Sequence, residues 1–371
     1  MREVIMSRRP FSFSFLLFLF LSSFSLFFVF FSGAARAQDI KVLILDGQFN
    51  RVPAAGEKLR LLDDTAGKLL VGDRSYTGRI EVWRGEGGLY LIDSVDIEDY
   101  IRGVVKSETG SDWAMEALKA QAVISRTYAA YKLLHSPGMK YDLTSSVLDQ
   151  VYGCDAPDGN VCKAVDETRG QILVYDGKPI EAFFHSTSCG ETEDPYEVFG
   201  THLPYLKPVK VNCGLSPYSE WDRQFSAGRL QAALKSGGID TGPITGVRIK
   251  SHTCTGRVRD LLIEGKNGVF KLKATDARKL LGWRALPSTD FTLSFNDGFL
   301  DLEGRGYGHG VGLSQWSALQ MARQGETYRQ ILAYFYPGAR LEQWGAEIAS
   351  AGQAQHAGQA QPAGLTHTAR K

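Results

Sequence analysis

Only five of the 371 residues are cysteine, and no two are spaced as a C-x-x-C doublet. Paired His/Cys ligands of a zinc site are therefore missing, and His185–Cys189, Cys154–Cys162 and His252–Cys254 do not assemble one. Charge of one sign is equally lacking, with 42 Lys and Arg against 41 Asp and Glu. A nucleic-acid partner needs a concentrated basic field, so that class is excluded. No G-x-G-x-x-G register and no Gly-Lys-Ser/Thr follows the glycine-rich stretch at 304–312, which removes the dinucleotide and P-loop readings. Long apolar runs are absent except at the start of the chain. No internal repeat is present.

That one run belongs to a targeting segment. Arg2, Arg8 and Arg9 precede Phe11 to Phe31, and Ala35-Arg36-Ala37 has the form of a cleavage site, so residues 1–37 read as a signal peptide. Cleavage leaves Gln38 first and 334 residues, with 38 basic against 40 acidic side chains. An uncleaved anchor is the competing reading, since the run is long enough to span a bilayer. After cleavage no membrane segment remains, and the expected location is the periplasm or cell envelope. Ser7-Arg8-Arg9-Pro10-Phe11 also looks like a twin-arginine signal. In an exported chain cysteines read first as disulfides. Cys154–Cys162 brackets a turn-rich loop and is the first expected pair, Cys189–Cys213 the second, and Cys254 is left over.

Residues 38–95 read as a β-rich region, with strands at 40–45, 68–71, 79–83 and 89–92 separated by Gly/Asp turns. A short helix or turn follows at 96–105. Helical periodicity is strongest over about 112–134, with Ser111 or Asp112 as cap. Met115, Leu118, Ala122, Ser125 and Ala129 share one face, and Lys119, Val123, Arg126 and Ala130 another. Asp176-Gly177 between 172–175 and 180–184 signals a hairpin. Further strands are expected near 246–250, 258–264 and 299–303, and helices at 275–281 and 313–324. Residues 346–371 carry no core-forming pattern and read as a disordered tail. Hairpins mixed with a few helices, without βαβ alternation, give an α+β fold with a cleft, in which residues 96–345 form the functional domain.

Three separated motifs stand in order: Asp99-Tyr-Ile-Arg-Gly-Val-Val-Lys-Ser-Glu108 with the Ala-rich segment to Ala129, then Asp149-Gln-Val-Tyr-Gly153, then Gly304-Arg-Gly-Tyr-Gly-His-Gly-Val-Gly-Leu-Ser-Gln-Trp316. Over residues 90–345 this pattern resembles the stage II sporulation protein D and amidase-enhancer family of bacterial cell-wall proteins. The resemblance implies that Glu108 is the acid of a lytic transglycosylase acting between N-acetylmuramic acid and N-acetylglucosamine. One carboxylic acid suffices, because it protonates the glycosidic oxygen and then takes the proton of the sugar's own 6-hydroxyl. Such an acid needs a raised pKa and hence an apolar or crowded pocket.

Read as residues alone, Glu108 is a glutamate near a helix start, and Lys119 a solvated charge. Arg126, set among Ala122, Val123, Ile124, Ala129 and Ala130, needs a carboxylate or carbonyl partner, either Glu108 or another. Gln121 and Tyr128 sit on the same helix as Lys119 and Arg126, while Gln150 and Tyr152, loop residues when taken alone, offer an amide and a ring suited to sugar, and the resemblance implies a place for them in the glycan cleft. Alternate glycines at 304–312 mean close backbone packing or close approach of a ligand, with Tyr307 and His309 on the other face. Together Glu108, Lys119, Gln121, Arg126, Tyr128, Gln150, Tyr152, Tyr307 and His309 form the candidate site. Some relatives hold a metal near 185–189, but this chain lacks a ligand set, so no metal or cofactor is expected. The expected partners are peptidoglycan glycan strands and, in the alternative reading of a non-catalytic glycan-binding enhancer, a cell-wall amidase. A two-carboxylate hydrolase using Asp99, Asp112 or Glu116 is a further option.

Overall fold

The computed structural model describes residues 38–45, 52–53, 58–71, 74–153 and 159–345. The signal segment and the C-terminal tail read from the sequence lie outside these residues. Among the described residues the fold is α+β, with eight helices and several small sheets. No described helix is long and apolar enough to cross a membrane.

Strand Gly88–Asp96 buries Tyr90, Leu91, Ile92 and Asp93, and pairs antiparallel with Asp39–Ile44 on one side and Arg79–Gly85 on the other. It runs straight into helix α1, Ile97–Glu108. Asp96 forces the change by accepting the Glu98 and Asp99 N–H groups, an N-cap followed by acidic residues in the first turn. One face of α1 then buries Ile97, Tyr100, Ile101, Val104 and Val105 against the sheet. The turn-or-helix expected at 96–105 is thus a full helix that ends on Glu108.

Helix α2, Met115–His135, starts later than its periodicity suggests. The expected caps, Ser111 and Asp112, sit in an exposed turn closed by the Trp113 N–H on the Gly110 carbonyl. Ala114 occupies the cap position without a side-chain bond. The two faces read from the sequence are both buried, because α2 lies between two cores. Leu118, Ala122, Ala129 and Ala130 face the sheet-side core, while Ala120, Val123 and Ile124 join a second core. Helix α3, Gly159–Glu167, packs against α1 and α2.

The Asp176-Gly177 hairpin forms with both residues at positive φ, as a two-residue turn requires. Its return strand is only Lys178–Pro179, because Pro179 has no N–H to continue a ladder. Phe184–His185 instead pairs parallel with Leu313–Ser314, so the expected strand at 180–184 is divided. Helix α4, Pro195–Phe199, follows. Cys189–Cys213 is bridged, whereas Cys162 is a free thiol and Cys154 lies outside the described residues.

Between Trp221 and Gly304 the chain builds a module with its own core. Two three-stranded antiparallel sheets enclose Phe225, Leu230, Leu261, Ile263 and Leu300, with helix α5 (Ala227–Ser236) and helix α6 (Ala274–Leu281) over them. Strands Ile244–His252, Val258–Gly265 and Phe299–Gly304 fall where expected. The glycine run then threads back beneath 183–193. A Cβ on Gly312 would stand 1.9 Å from the Phe183 carbonyl oxygen, and one on Gly308 2.6 Å from the His185 Cβ. Close packing of backbone explains the alternation. Helix α7, Gln315–Arg323, starts two residues later than expected, since Leu313–Ser314 is strand. Helix α8, Tyr328–Phe335, closes the second core behind a Thr327 capping box.

Candidate functional site

Glu108 stands at the last position of α1, carried out of the sheet-side core by Val104 and Val105. It is half-buried. Its Oε1 accepts the Val151 backbone N–H at 2.8 Å, and its Oε2 accepts from Gln315 Nε2 at 3.4 Å. Burial pushes the carboxyl up to about 6, against the opposing pull of the Val151 N–H, the Gln315 amide and the Arg74 charge.

The Gln315 Nε2 is shared with the Gln121 Oε1 at 3.2 Å, and Gln121 in turn donates to the Ser125 hydroxyl at 3.0 Å. Gln150 donates to the Ser125 carbonyl at 3.3 Å and accepts the Tyr100 hydroxyl at 2.9 Å. Gln121 and Gln150 are thereby tied to Glu108 through a continuous amide network. Tyr152 is fully buried, hydrogen-bonded to Asp93 and packed between the Tyr76 and Tyr100 rings. Its ring lies so close to Gly103 that a Cβ there would meet it at 2.6 Å. Tyr128 donates to Asp149 Oδ1, whose Oδ2 takes the Thr144 N–H and hydroxyl. These bonds brace the 144–151 loop that delivers the Val151 N–H.

Arg126 is placed elsewhere. Its Nε and Nη2 donate to Glu98 at 2.9 and 2.7 Å, and Nη1 donates to the Gln171 carbonyl at 3.1 Å, all in the protein interior. Its carboxylate partner is Glu98, on the first turn of α1. Lys119 pairs with Glu116 at 2.9 Å and Glu167 at 2.7 Å. Tyr307 packs its ring at a tilt against Tyr218, with centroids 4.5 Å apart, and exchanges backbone bonds with Thr187. His309 bonds the Phe184 carbonyl at 2.9 Å, and burial pushes it down to about 4, so it is neutral near pH 7. His185 joins Ser188 at 2.6 Å, and Arg257 donates to the same hydroxyl at 2.9 Å. Among the described residues no group of three His, Cys, Asp or Glu could hold a metal.

Four contributors were not singled out from the sequence. Gln315 and Trp316 close the third motif, yet their meaning depends on contact with Glu108 from 207 residues away. Trp113 and Trp316 set their half-buried rings 5.1 Å apart, flanking Gly110 and Gln315. Arg74 comes from a three-residue strand, Arg74–Tyr76, with no motif around it.

Fold and site together define an α+β protein with one glutamate, its carboxyl pushed up to about 6, in a surround of amides and indoles. Comparison with known proteins gives that class a family. The family model for the stage II sporulation protein, SpoIID, matches residues 85–175, and a model described only as a domain of unknown function matches residues 211–312, which takes in the whole module. The stage II sporulation protein D of Bacillus amyloliquefaciens is 35% identical over 68% of this chain and 76% of that protein. An uncharacterized protein of Brachyspira hyodysenteriae is 33% identical over 68% of each. The amidase enhancer of Bacillus subtilis is 29% identical over 65% of this chain and 40% of its own length. The chain belongs to the stage II sporulation protein D family.

Proposed function

We propose that this protein is exported and cleaves peptidoglycan glycan strands as a lytic transglycosylase, with Glu108 as acid and then base. The observation that carries this reading is the Glu108 carboxyl, held near 6 by burial and given two donors that fix its direction. Protonated Glu108 delivers its proton to the glycosidic oxygen as the C1–O bond of the muramoyl residue breaks. The Glu108 carboxylate then takes the proton of the 6-hydroxyl, whose oxygen closes on C1 as a 1,6-anhydro ring. No water is consumed, so one carboxylate serves both steps. The Val151 N–H and Gln315 amide stabilise the carboxylate between them. The Trp113 and Trp316 rings offer apolar faces to sugar rings beside the acid.

Glu108→Gln keeps the volume and the Gln315 contact but holds no transferable proton. Cleavage of isolated glycan strands is expected to fall at least ~100-fold while binding persists. Wild-type products are expected one water lighter than hydrolysis products by mass. Reducing ends carrying added water would instead mark a hydrolase. The amidase enhancer among the relatives favours one second reading, a glycan-binding partner of a cell-wall amidase. That reading wins if wild type cuts nothing and both proteins accelerate an amidase equally.

A further inference from the structure

Helix α6 carries a cation that the chemistry above leaves unused. Arg278 is 6% exposed, yet no carboxylate answers its charge among the described residues. Its Nε donates to the Leu286 carbonyl at 2.9 Å, and its guanidinium carbon lies 4.9 Å from the centre of the Trp283 ring. That bond pins α6 to the loop after it and takes one of five N–H donors. Among the described residues Nη1 and Nη2 meet no acceptor, and both stay at the solvent edge. The other two buried arginines are occupied: Arg126 forks onto Glu98, and Arg257 gives its Nη groups to the Glu191 carbonyl and the Ser188 hydroxyl. Burial without an anion pushes Arg278 down to about 10. An unpaired buried cation is costly, and an anion arriving on its fork removes that cost.

Half-buried rings border the fork. Trp283 covers the guanidinium, and the Tyr307 phenol, backed by Tyr218, is near enough to act on its charge. His309 feels the same charge but is neutral near pH 7, so it adds no second one. One planar fork with an aromatic border suits a single carboxylate on a larger body, held by two parallel N–H bonds, better than a doubly charged phosphate. The place is distinct from the Glu108 pocket. Arg278 borders Tyr307 on the glycine run, whereas Glu108 meets Gln315 beyond the end of that run, at most about 29 Å of chain away. A polymer held at Glu108 can extend that far. We propose that Arg278, with Trp283 and Tyr307 beside it, is a subsite for a carboxylate of peptidoglycan lying away from the bond that is cut. This inference rests on the peptidoglycan reading above. Two groups of that polymer carry the chemistry, the lactyl acid of a bare muramoyl residue and the terminal carboxylate of a stem peptide. The module from 221 to 304 thereby anchors the polymer while Glu108 works on it.

The test measures binding of small probes to the mature protein by calorimetry: N-acetylmuramic acid, N-acetyl-D-alanyl-D-alanine, the methylamide of each, and methyl phosphate. At least one acid is expected to bind about 10- to 100-fold more tightly than its own amide, the range of charge-assisted hydrogen bonding, and that acid names the source. Arg278→Gln should bring the ratio to about one, and Arg278→Lys, which keeps the charge and loses the fork, should retain part of it. A readout without any variant comes from nuclear magnetic resonance, where the bound acid should shift the Trp283 indole N–H signal and its amide should not. The proposal is overturned if neither acid is preferred over its amide, if Arg278→Gln keeps the preference, if the Trp283 signal stays still, or if methyl phosphate binds more tightly than both acids. The probes contain no bond between sugars and cannot be cut, so Glu108→Gln should give the same ratios as wild type. Absence of strand cleavage would then count against the catalytic reading alone.

Discussion

Replacing Arg126 by methionine should cost the protein stability and leave its chemistry intact. Glu98 is 3% exposed and keeps three donors: two from Arg126 and the Gly170 N–H at 3.1 Å. Methionine fills most of the stem volume but strips two of the three, stranding a carboxylate in the core. Breaking one side of a buried pair costs about 3–5 kcal/mol. The carbonyls of Gln171 and Val165 lose a donor as well, which places the expected cost in the upper part of that range. In a chain of this size each kcal/mol moves the melting temperature by roughly 2–4 °C, so a fall on the order of 10 °C is expected. Adding Glu98→Gln removes the stranded charge and should recover more than half of the loss. Thermal melting gives the first quantity, and glycan cleavage at 20 °C, well below either transition, gives the second. An Arg126→Met protein that melts like wild type but cleaves 100-fold more slowly refutes the reasoning, since the guanidinium would then face substrate.

Because Glu108 must begin protonated, kcat/KM should fall tenfold per pH unit above about 6 and stay flat below it until the protein unfolds; a bell-shaped profile would point to a second carboxylate. Cys162 and Cys254 should alkylate without reductant while Cys189 and Cys213 do not, as read by peptide mass. Cys189→Ser with Cys213→Ser should lower stability by about 2–4 kcal/mol in chemical denaturation, the usual worth of a bridge closing a loop of this length. Gly312→Ala forces a methyl into the Phe183 carbonyl at a φ of 72°, so soluble yield should collapse, whereas Gly228→Ala, in helix α5 with open space around it, should express normally.

The elements legible in the sequence are those whose cause is local. Asp96 with its acidic first turn writes α1, the Asp176-Gly177 pair writes its hairpin, and periodicity writes α2 and the longer strands of the module. Where the cause lies far along the chain the sequence is silent. Pattern alone gives Arg126 a need for a partner but no means of choosing Glu98 over Glu108. The glycines at 304–312 announce tight packing without saying against what, and for Gly306, Gly308 and Gly312 the answer is the segment 183–187, more than 100 residues earlier. Helices α3, α5 and α8 were overlooked because each is short and buries only one narrow stripe. Gln315 is the sharpest case, since nothing in the words Ser-Gln-Trp suggests a donor for a glutamate two hundred residues upstream.

That long reach has a consequence for how the protein comes into being. The module from 221 to 304 pairs its strands only with one another and can close as soon as its own residues are available. The Glu108 pocket cannot. Phe184–His185 waits for Leu313–Ser314, strand Gln171–Tyr175 waits for Arg340–Gln343, and the carboxylate has its amide only after residue 315 has been made. A growing chain therefore carries Glu108 for some two hundred residues of synthesis before Gln315 can reach it, and the carboxylate is fixed in place only as the C-terminal helices close over it.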